Sequence, residues 1–353
     1  MAERPAPVAD SVNGSHRAAP LVEVRRAGHP ESIHHGHVAV VDEAGRLLAW
    51  AGDPRVPVFP RSSYKPYQAL PVVESGAFAR SGLGPDALAL IAGSHGGTDT
   101  QASLAGAILA RAGTDERSLR CGSHVPYDDA TAAALRARGE APGPLRHNCS
   151  GKHAGMLLLA SHLGAPLDTY IDFSHPVQRR IASRFEEVLG EPWLDPQTAI
   201  DGCSAPTPRM PLATLARSFA LLALGRDATA RPAPGLTAVR DAMTAHPENV
   251  ASEGRLDTLL MQVLRGRVVS KAGAEGMHAV GLLGRGVGIA VKVSDGTRRA
   301  LGPAVVAVLD RLGLLSDPER EALRTQAEMR LRNFAGLEVG VIRANLNLEG
   351  DGL

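Results

Sequence analysis

The sequence predicts an α+β fold, in which an antiparallel sheet is built from both ends of the chain and a helical insertion lies between them. Three observations support this prediction. Strand-like patterns lie before residue 52 and after residue 267, helical periodicity fills the middle, and no repeat or linker divides the chain. The 353 residues suffice for one large domain. We expect a disordered tail at 1–20 and a single domain at 21–353.

The first elements alternate apolar and polar residues, as strands do. Residues 21–25 form one such segment, and residues 36–41 and 46–51 flank the turn sequence 42–45, which ends in glycine. An apolar helix follows at 67–77. Pro66 suits its first turn because proline has no backbone N–H to leave unbonded there.

The middle of the chain shows helical periodicity, and the C-terminal part returns to strands. We predict helices at 86–93, 98–112, 129–138, 147–163, 175–190, 211–224, 235–245 and 255–266. Strands are predicted at 268–271, 277–283, 286–293 and 339–345, with helices at 300–312 and 317–329. Thr98 or Asp99 can cap one helix, and Asn148 or Ser150 can cap another.

Composition narrows the class of protein. Hydrophobic residues make up 44% of the chain and charged residues 21%, as in globular proteins. A net charge of +1 gives no reason to expect a nucleic-acid partner, and no apolar run of about 18 residues predicts a membrane span. The N-terminus lacks the apolar segment of a signal peptide, and three distant cysteines do not make a disulfide framework. We therefore expect a cytoplasmic protein.

Ser62 and Lys65 are the first candidates for chemistry. They are three residues apart at a helix start, so a helix would place them on one face. A serine becomes a nucleophile when a base takes its proton, and a lysine can do so only if its pKa is lowered. The alternative is a solvent-facing helix start, which the local sequence by itself favours.

Two further segments present reactive side chains beside glycines. The loop 93–97 carries Ser94 and His95, and its glycines allow either close approach to a ligand or a plain turn. Lys271 ends a strand before a glycine-rich turn, where it can reach into a cleft or lie solvated at a sheet edge. A Ser-x-x-Lys after an N-terminal hairpin, with a distant strand lysine, is the layout of penicillin-recognising enzymes and serine-dependent glutaminases.

The cysteines allow three interpretations. Cys149 and Cys203 lie where a loop meets a helix or a strand, and a free cysteine is most often a small buried apolar residue. They could instead bind a metal together with His147 or His153, although no paired Cys-x-x-Cys spacing is present. Cys149 could also be a nucleophile with its pKa lowered at a helix N-terminus.

Six sequence blocks together resemble the L-asparaginase II family of the Rhizobium etli type, also called class 3 or thermolabile asparaginases. They occur in order over about residues 21–345: PRSSYK (60–65), GSHGG (93–97), CGSHVP (121–126), HNCSGKHAGM (147–156), DGCSAP (201–206) and KAGAEG (271–276). The resemblance implies a fold similar to serine β-lactamases and glutaminases, a homodimer, and hydrolysis of L-asparagine to aspartate and ammonia.

The resemblance also assigns roles to individual residues. It implies two Ser-Lys sets, Ser62 with Lys65 and Ser94 with Lys271, and a Zn²⁺ site with water as its fourth ligand. The implied zinc ligands are Cys149, Lys152 and Cys203, and the residues expected around the substrate are Arg61, His95, His153, Asp201 and Gly273.

The expected mechanism is attack by Ser62 on the carboxamide with neutral Lys65 as base, followed by hydrolysis of the acyl-enzyme. Ser94 and Lys271 would relay the proton to the leaving group and orient the substrate. Two alternatives remain open. One is a different amidohydrolase that depends on zinc or on Cys149, and the other is a sensor domain that is acylated and stops.

Overall fold

The computed structural model describes residues 16–191 and 198–350. Most of the predicted tail, residues 1–15, lies outside the described residues, as do residues 351–353 of the predicted domain. Ala19 and Pro20, which the sequence analysis assigned to the tail, belong to the first strand.

The strands and helices follow the predicted order closely. The strands are β1 Ala19–Arg26, β2 His29–Asp42, β3 Leu47–Ala51, β4 Pro57–Val58, β5 Ala199–Ile200, β6 Pro206–Thr207, β7 Met210–Pro211, β8 Val268–Gly273, β9 Met277–Leu282, β10 Val287–Val293, β11 Glu328–Arg332, β12 Glu338–Ala344 and β13 Glu349–Gly350. The helices are α1 Lys65–Glu74, α2 Ala77–Ser81, α3 Pro85–Ile91, α4 Asp99–Arg111, α5 Asp129–Arg138, α6 Ser150–His162, α7 Pro176–Leu189, α8 Leu212–Leu224, α9 Pro234–Ala245, α10 Pro247–Val250, α11 Leu256–Val263, α12 Leu301–Arg311, α13 Asp317–Ala322 and α14 Arg324–Ala327.

The fold combines an antiparallel sheet with a set of inserted helices, which confirms the α+β prediction. The main sheet has the order β11-β12-β1-β2-β10-β9-β8, with β3 paired to β2 and β13 paired to β3. Every neighbouring pair in it is antiparallel. The N-terminal strands β1 and β2 therefore lie between strands from the C-terminal part, and the helices α1 to α11 are inserted between the two sets.

Helix α8 packs directly on the centre of the sheet. Glycines on the sheet make this possible, because a Cβ at Gly288 would collide with the Ala216 carbonyl oxygen and one at Gly281 with the Phe219 carbonyl oxygen. Helices α1, α3, α4 and α6 pack against one another in the helical part, and α6 is buried through most of its length. This packing puts the first turns of α1 and α6 close together.

Two local predictions were wrong. The predicted helix at 317–329 ends earlier, because residues from Glu328 onward pair with β12 as an edge strand, and pairing with the sheet overrides the local helical pattern. The N-cap of α6 is Cys149, whose side chain makes no capping hydrogen bond, rather than Asn148 or Ser150. Within the described residues, no helix is both long and apolar enough to cross a membrane.

Candidate active site

A cleft of about 500 Å³ lies between the edge strand β8 and the helical part of the molecule. Four of the predicted site residues line it, namely Ser62, Ser94, Lys271 and Gly273. Its wall and mouth also contain Tyr127, Asn148, Arg255, Asp257, Glu275, His278 and Arg298. Segments that are far apart in the sequence thus meet at one place, and their side chains are mostly polar.

Ser62 lies in a short 3₁₀ turn, Arg61–Tyr64, that leads directly into α1. Strand β8 approaches this turn closely at Gly273, where a Cβ would lie 2.5 Å from the Pro60 carbonyl oxygen. Gly273 therefore sets how near Ser62 comes to Lys271. Arg61 has a left-handed backbone with φ of +52°, and its Nε donates to Asp201 Oδ1 at 2.6 Å.

Lys65 is fully buried, and its amine contacts three oxygen atoms. Nζ lies 2.5 Å from Gly93 O, 3.2 Å from Asn148 O and 2.9 Å from Ser94 Oγ. None of these described contacts is with Ser62, which the helical spacing had suggested as the partner. Burial lowers the pKa of Lys65, with Cys149 opposing and Lys152 reinforcing the effect. The environment thus favours a neutral amine next to a hydroxyl group.

Lys271 lines the cleft from strand β8. Burial lowers its pKa to about 8, and the Asp257 carboxylate acts in the opposite direction. Asp257 is buried at the start of α11 and accepts a hydrogen bond from Ala272 N, an N–H on the outer edge of the sheet. His278 bonds Ser270 Oγ through Nε2 at 2.8 Å, while its buried Nδ1 has no partner among the described atoms.

Beside the cleft, two cysteines and a lysine form a buried cluster. Lys152 Nζ donates to Cys203 Sγ at 2.8 Å, and the Cys149 thiol donates toward the same sulfur. The Cys149 hydrogen bond and the Lys152 charge hold the pKa of Cys203 far below its usual range, although burial opposes them. Burial disfavours the charge on Lys152. The two nearby sulfurs, Cys203 more than Cys149, together with Asp201 outweigh burial and raise the pKa of Lys152. Both shifts favour a Cys203 thiolate beside a Lys152 ammonium group.

This cluster offers donors that a metal could use. Two sulfurs and one amine nitrogen are compatible with tetrahedral Zn²⁺ that keeps one open position. Across residues 16–191 and 198–350, no three His, Cys, Asp or Glu side chains come together as a metal site, so a site here needs the Lys152 amine as a donor. Cys121, the third cysteine, is buried and unpaired, and its Sγ lies near the Gly122 and Pro144 carbonyl oxygens.

The two histidines predicted to contact substrate are both fully buried. His95 bonds Ser150 Oγ at 2.9 Å and accepts from Gly97 N, which fixes the glycine-rich loop; burial lowers its pKa to about 3. His153 Nδ1 lies 2.6 Å from Tyr170 Oη. Its Nε2 lies near Cys203 and makes no hydrogen bond of good geometry within the described residues.

Comparison with known families identifies the family of this chain. The family model described as L-asparaginase II matches residues 22–344. The chain belongs to the L-asparaginase II family. The match spans all six sequence blocks and every predicted site residue, and membership of this family supports an amidohydrolase activity.

Similar solved structures are distant from this L-asparaginase II family member. The native form of Mglu is 17% identical with a TM-score of 0.44, over 80% of this chain and 65% of Mglu, which is less than two thirds of its length. A Bacillus glutaminase crystallised in 4.3 M NaCl is 10% identical with a TM-score of 0.41, over 79% of this chain and 91% of the glutaminase. No curated protein matches the chain.

Lysine usage is a sequence signal that finds the site without any motif. This family member has four lysines and 34 arginines. Three of the lysines are the buried amines of the cleft and the cluster, and the fourth, Lys292, donates to the Glu275 carbonyl oxygen at the cleft mouth. Because arginine cannot lose its proton in proteins, a chain that uses arginine for surface charge leaves lysine for positions where an amine is needed. Asp257, His278 and the residues of the mouth carry no such signal.

Proposed function

We propose that this protein is an L-asparagine amidohydrolase of the Rhizobium etli type, acting through a serine acyl-enzyme. The observation that supports this most is the Lys65 amine, which is buried next to Ser94 Oγ and one helical turn from Ser62, in a cleft that both serines line. Family membership supports the reaction class, and this constellation supports the chemistry.

The contacts of Lys65 suit a neutral amine. A neutral amine has two N–H groups and one lone pair, and two backbone carbonyl oxygens, Gly93 O and Asn148 O, accept from it. The lone pair is then left for a hydroxyl proton, and Ser94 Oγ is 2.9 Å away. A protonated Lys65 would instead be a buried cation whose three contacts are all with uncharged oxygens, which is costly.

The proposed acylation uses both serines. Ser62 Oγ attacks the carboxamide carbon, and its proton passes to the Lys65 lone pair. The tetrahedral intermediate collapses when the leaving nitrogen takes a proton from Ser94 Oγ, which regains one from Lys65. The C–N bond breaks, ammonia leaves, and Ser62 carries an ester while Lys65 is neutral again.

Deacylation reverses the same proton path. A water molecule attacks the ester carbon as Lys65 accepts its proton, and the proton returns to Ser62 Oγ as the acid is released. Lys271 lines the same cleft as Ser62, and we assign to it stabilisation of negative charge that develops during both steps.

We further propose that Cys149, Lys152 and Cys203 hold one Zn²⁺. The 2.8 Å contact between Lys152 Nζ and Cys203 Sγ and the adjacent Cys149 thiol supply three donors in one buried place. Bound there, zinc would supply Lewis acidity toward polar groups of the substrate. Lys152 must lose a proton to become a ligand, so zinc binding should release protons and weaken in acid.

The remaining parts of the proposal concern the context of the enzyme. We propose a fold of the serine β-lactamase and glutaminase type, a homodimer and a cytoplasmic location. Three unpaired cysteines, all buried, are consistent with a reducing compartment. Light scattering of the purified protein would test the dimer.

Ammonia release from a panel of amides tests the function. We expect turnover of L-asparagine by the wild-type protein and none by Ser62→Ala, while Arg265→Met, an exposed charge outside the cleft, stays active. Loss of activity in Cys149→Ser but not in Ser62→Ala would instead support a thiol or metal enzyme. Stoichiometric acylation without continued ammonia release would support a sensor. Repeating the panel with a chelator and measuring bound zinc tests the metal.

A further inference from the structure

Two guanidinium groups converge on one tyrosine ring at the mouth of the cleft. The Arg255 guanidinium carbon lies 5.6 Å from the centre of the Tyr127 ring, and that of Arg298 lies 5.5 Å from it. The ring is itself held, because it stacks on His124 at 4.6 Å, and His124 Nε2 accepts a hydrogen bond from Asn148 N. Tyr127 therefore fixes two cations that come from separate segments of the chain.

Neither guanidinium has an ion-pair partner among residues 16–191 and 198–350. Within the described residues, Arg255 and Arg298 form no ion pair with an acidic side chain, whereas Arg61, next to Ser62 in the sequence, is bonded to Asp201 at 2.6 Å. Cation–π contact orients a guanidinium and leaves its N–H edge available. A carboxylate is the ligand that matches this edge, since guanidinium and carboxylate form paired hydrogen bonds.

The Glu275 side chain supplies the opposite charge at the same mouth. Glu275 lines the cleft and has a left-handed backbone with φ of +58°. Gly296 makes room for it, because a Cβ there would lie 2.5 Å from Glu275 Oε2, and Lys292 holds its backbone by donating to the Glu275 carbonyl oxygen. In the described part of the chain, the Glu275 carboxylate has no ion-pair partner.

We propose that this mouth binds the zwitterionic end of an α-amino-acid amide, with the α-carboxylate on Arg255 and Arg298 and the α-ammonium on Glu275. The inference rests on the proposed amidohydrolase function and specifies its substrate class. The side-chain amide then points inward to Ser62. Opposite charges held apart at the mouth would select free amino acids over simple amides, because an amide without either charge leaves part of the mouth unpaired.

Three amides that differ only in their charges test the proposal. L-Asparagine carries both the α-carboxylate and the α-ammonium group. Succinamate lacks the ammonium group, and 3-aminopropanamide lacks the carboxylate. For the double variant Arg255→Met/Arg298→Met we expect kcat/KM to fall about 10- to 100-fold for L-asparagine and succinamate, with 3-aminopropanamide unchanged. Glu275→Gln should show the converse pattern, in which kcat/KM falls for L-asparagine and 3-aminopropanamide but not for succinamate. Arg265→Met, which removes one exposed positive charge outside the cleft, is the surface-charge control.

Other outcomes would overturn the proposal. Equal losses of kcat/KM on all three amides would indicate that the residues of the mouth have a structural role. A loss of kcat/KM that occurs only in Arg61→Met, and only for amides with a carboxylate, would place the carboxylate site at Arg61 instead. If the wild-type protein hydrolyses none of the amides, the proposed function fails, and the mouth is judged by calorimetric titration of the Ser62→Ala protein with the same compounds. The proposal about the mouth would be supported if the arginine substitutions weakened binding of the two compounds that carry a carboxylate, and Glu275→Gln weakened binding of the two that carry an ammonium group. Affinities that do not depend on these charges would refute it.

Discussion

Lys65 and Lys152 show how two similar positions acquire opposite properties. Each lies in the first turn of a buried helix, α1 or α6, and each amine is fully enclosed. Lys65 contacts carbonyl and hydroxyl oxygens, and its pKa is lowered by burial. Lys152 contacts Cys203 Sγ. This sulfur, together with Cys149 and Asp201, outweighs burial and raises the pKa of Lys152. The charge of the neighbour thus decides whether a buried lysine suits a base or an ion-pair partner.

The same substitution at both positions tests this difference, and the largest effect is expected at Lys65. Lys65→Met should lower kcat by at least about a thousandfold, since it removes the proposed base. Lys65→Arg should not restore activity, because a guanidinium keeps its proton. Ser62→Ala should be equally inactive, and the double variant scarcely worse, because the pair acts as one unit. Steady-state ammonia release measures this, and losses that multiply would argue against the pairing.

At Lys152 the expected effect is on stability. In chelator-treated protein, Lys152→Met leaves the Cys203 thiolate buried without its cation and should lower the free energy of unfolding by about 3 kcal/mol. Lys65→Met should cost less, about 1 kcal/mol, because only uncharged oxygens lose a donor. Urea denaturation compares the two variants.

Bound zinc provides the matching control. Lys152→Met and Cys203→Ser should lose it, while Cys121→Ala should keep about one zinc per chain, because Cys121 lies outside the cluster. Equal stability losses at the two lysines, or full zinc content in Cys203→Ser, would contradict the comparison.

A smaller effect is expected at Gly273, the glycine that lets β8 approach the turn leading into α1. Gly273→Ala places a Cβ 2.5 Å from the Pro60 carbonyl oxygen, so the Ser62 turn must move. We expect a loss of about 1–2 kcal/mol in stability together with a lower kcat. Gly106→Ala in α4 is the matched control, since nothing lies within 4 Å of its added Cβ. Its stability should stay equal or rise; normal kcat in Gly273→Ala would show that the turn tolerates displacement.

The smallest effect concerns the third buried lysine. Lys271 has a pKa of about 8, lowered by burial and opposed by the Asp257 carboxylate. Asp257→Asn removes that opposition, so the pKa should fall further. Because Lys271 is proposed to stabilise negative charge as an ammonium group, its deprotonation should contribute to a fall of kcat/KM at alkaline pH. That fall should move to lower pH in Asp257→Asn. Profiles of kcat/KM against pH for wild type, Asp257→Asn and the exposed control Asp168→Asn measure this shift. If the limb of the profile does not move in Asp257→Asn, it belongs to the titration of another group.

Much of the fold could be read from the sequence because it is encoded locally. The glycine turn at 42–45 and the Thr98 capping box mark their elements directly, and the predicted helix 129–138 coincides with α5. The predicted end of the helix at 317–329 was wrong, because the choice between helix and edge strand depends on whether a partner strand is adjacent. Backbone pairing with β12 is a tertiary contact that no local pattern contains.

The sequence by itself determined the family, the candidate residues and their order along the chain. Only the tertiary structure decided that the Lys65 amine meets Ser94, that Lys152 meets Cys203, and that Arg255 and Arg298 share the Tyr127 ring. Helical spacing fixes direction over one turn, whereas these contacts join segments brought together by packing. The charge state of a buried amine depends on those contacts, so the chemistry of each lysine is a property of the folded molecule.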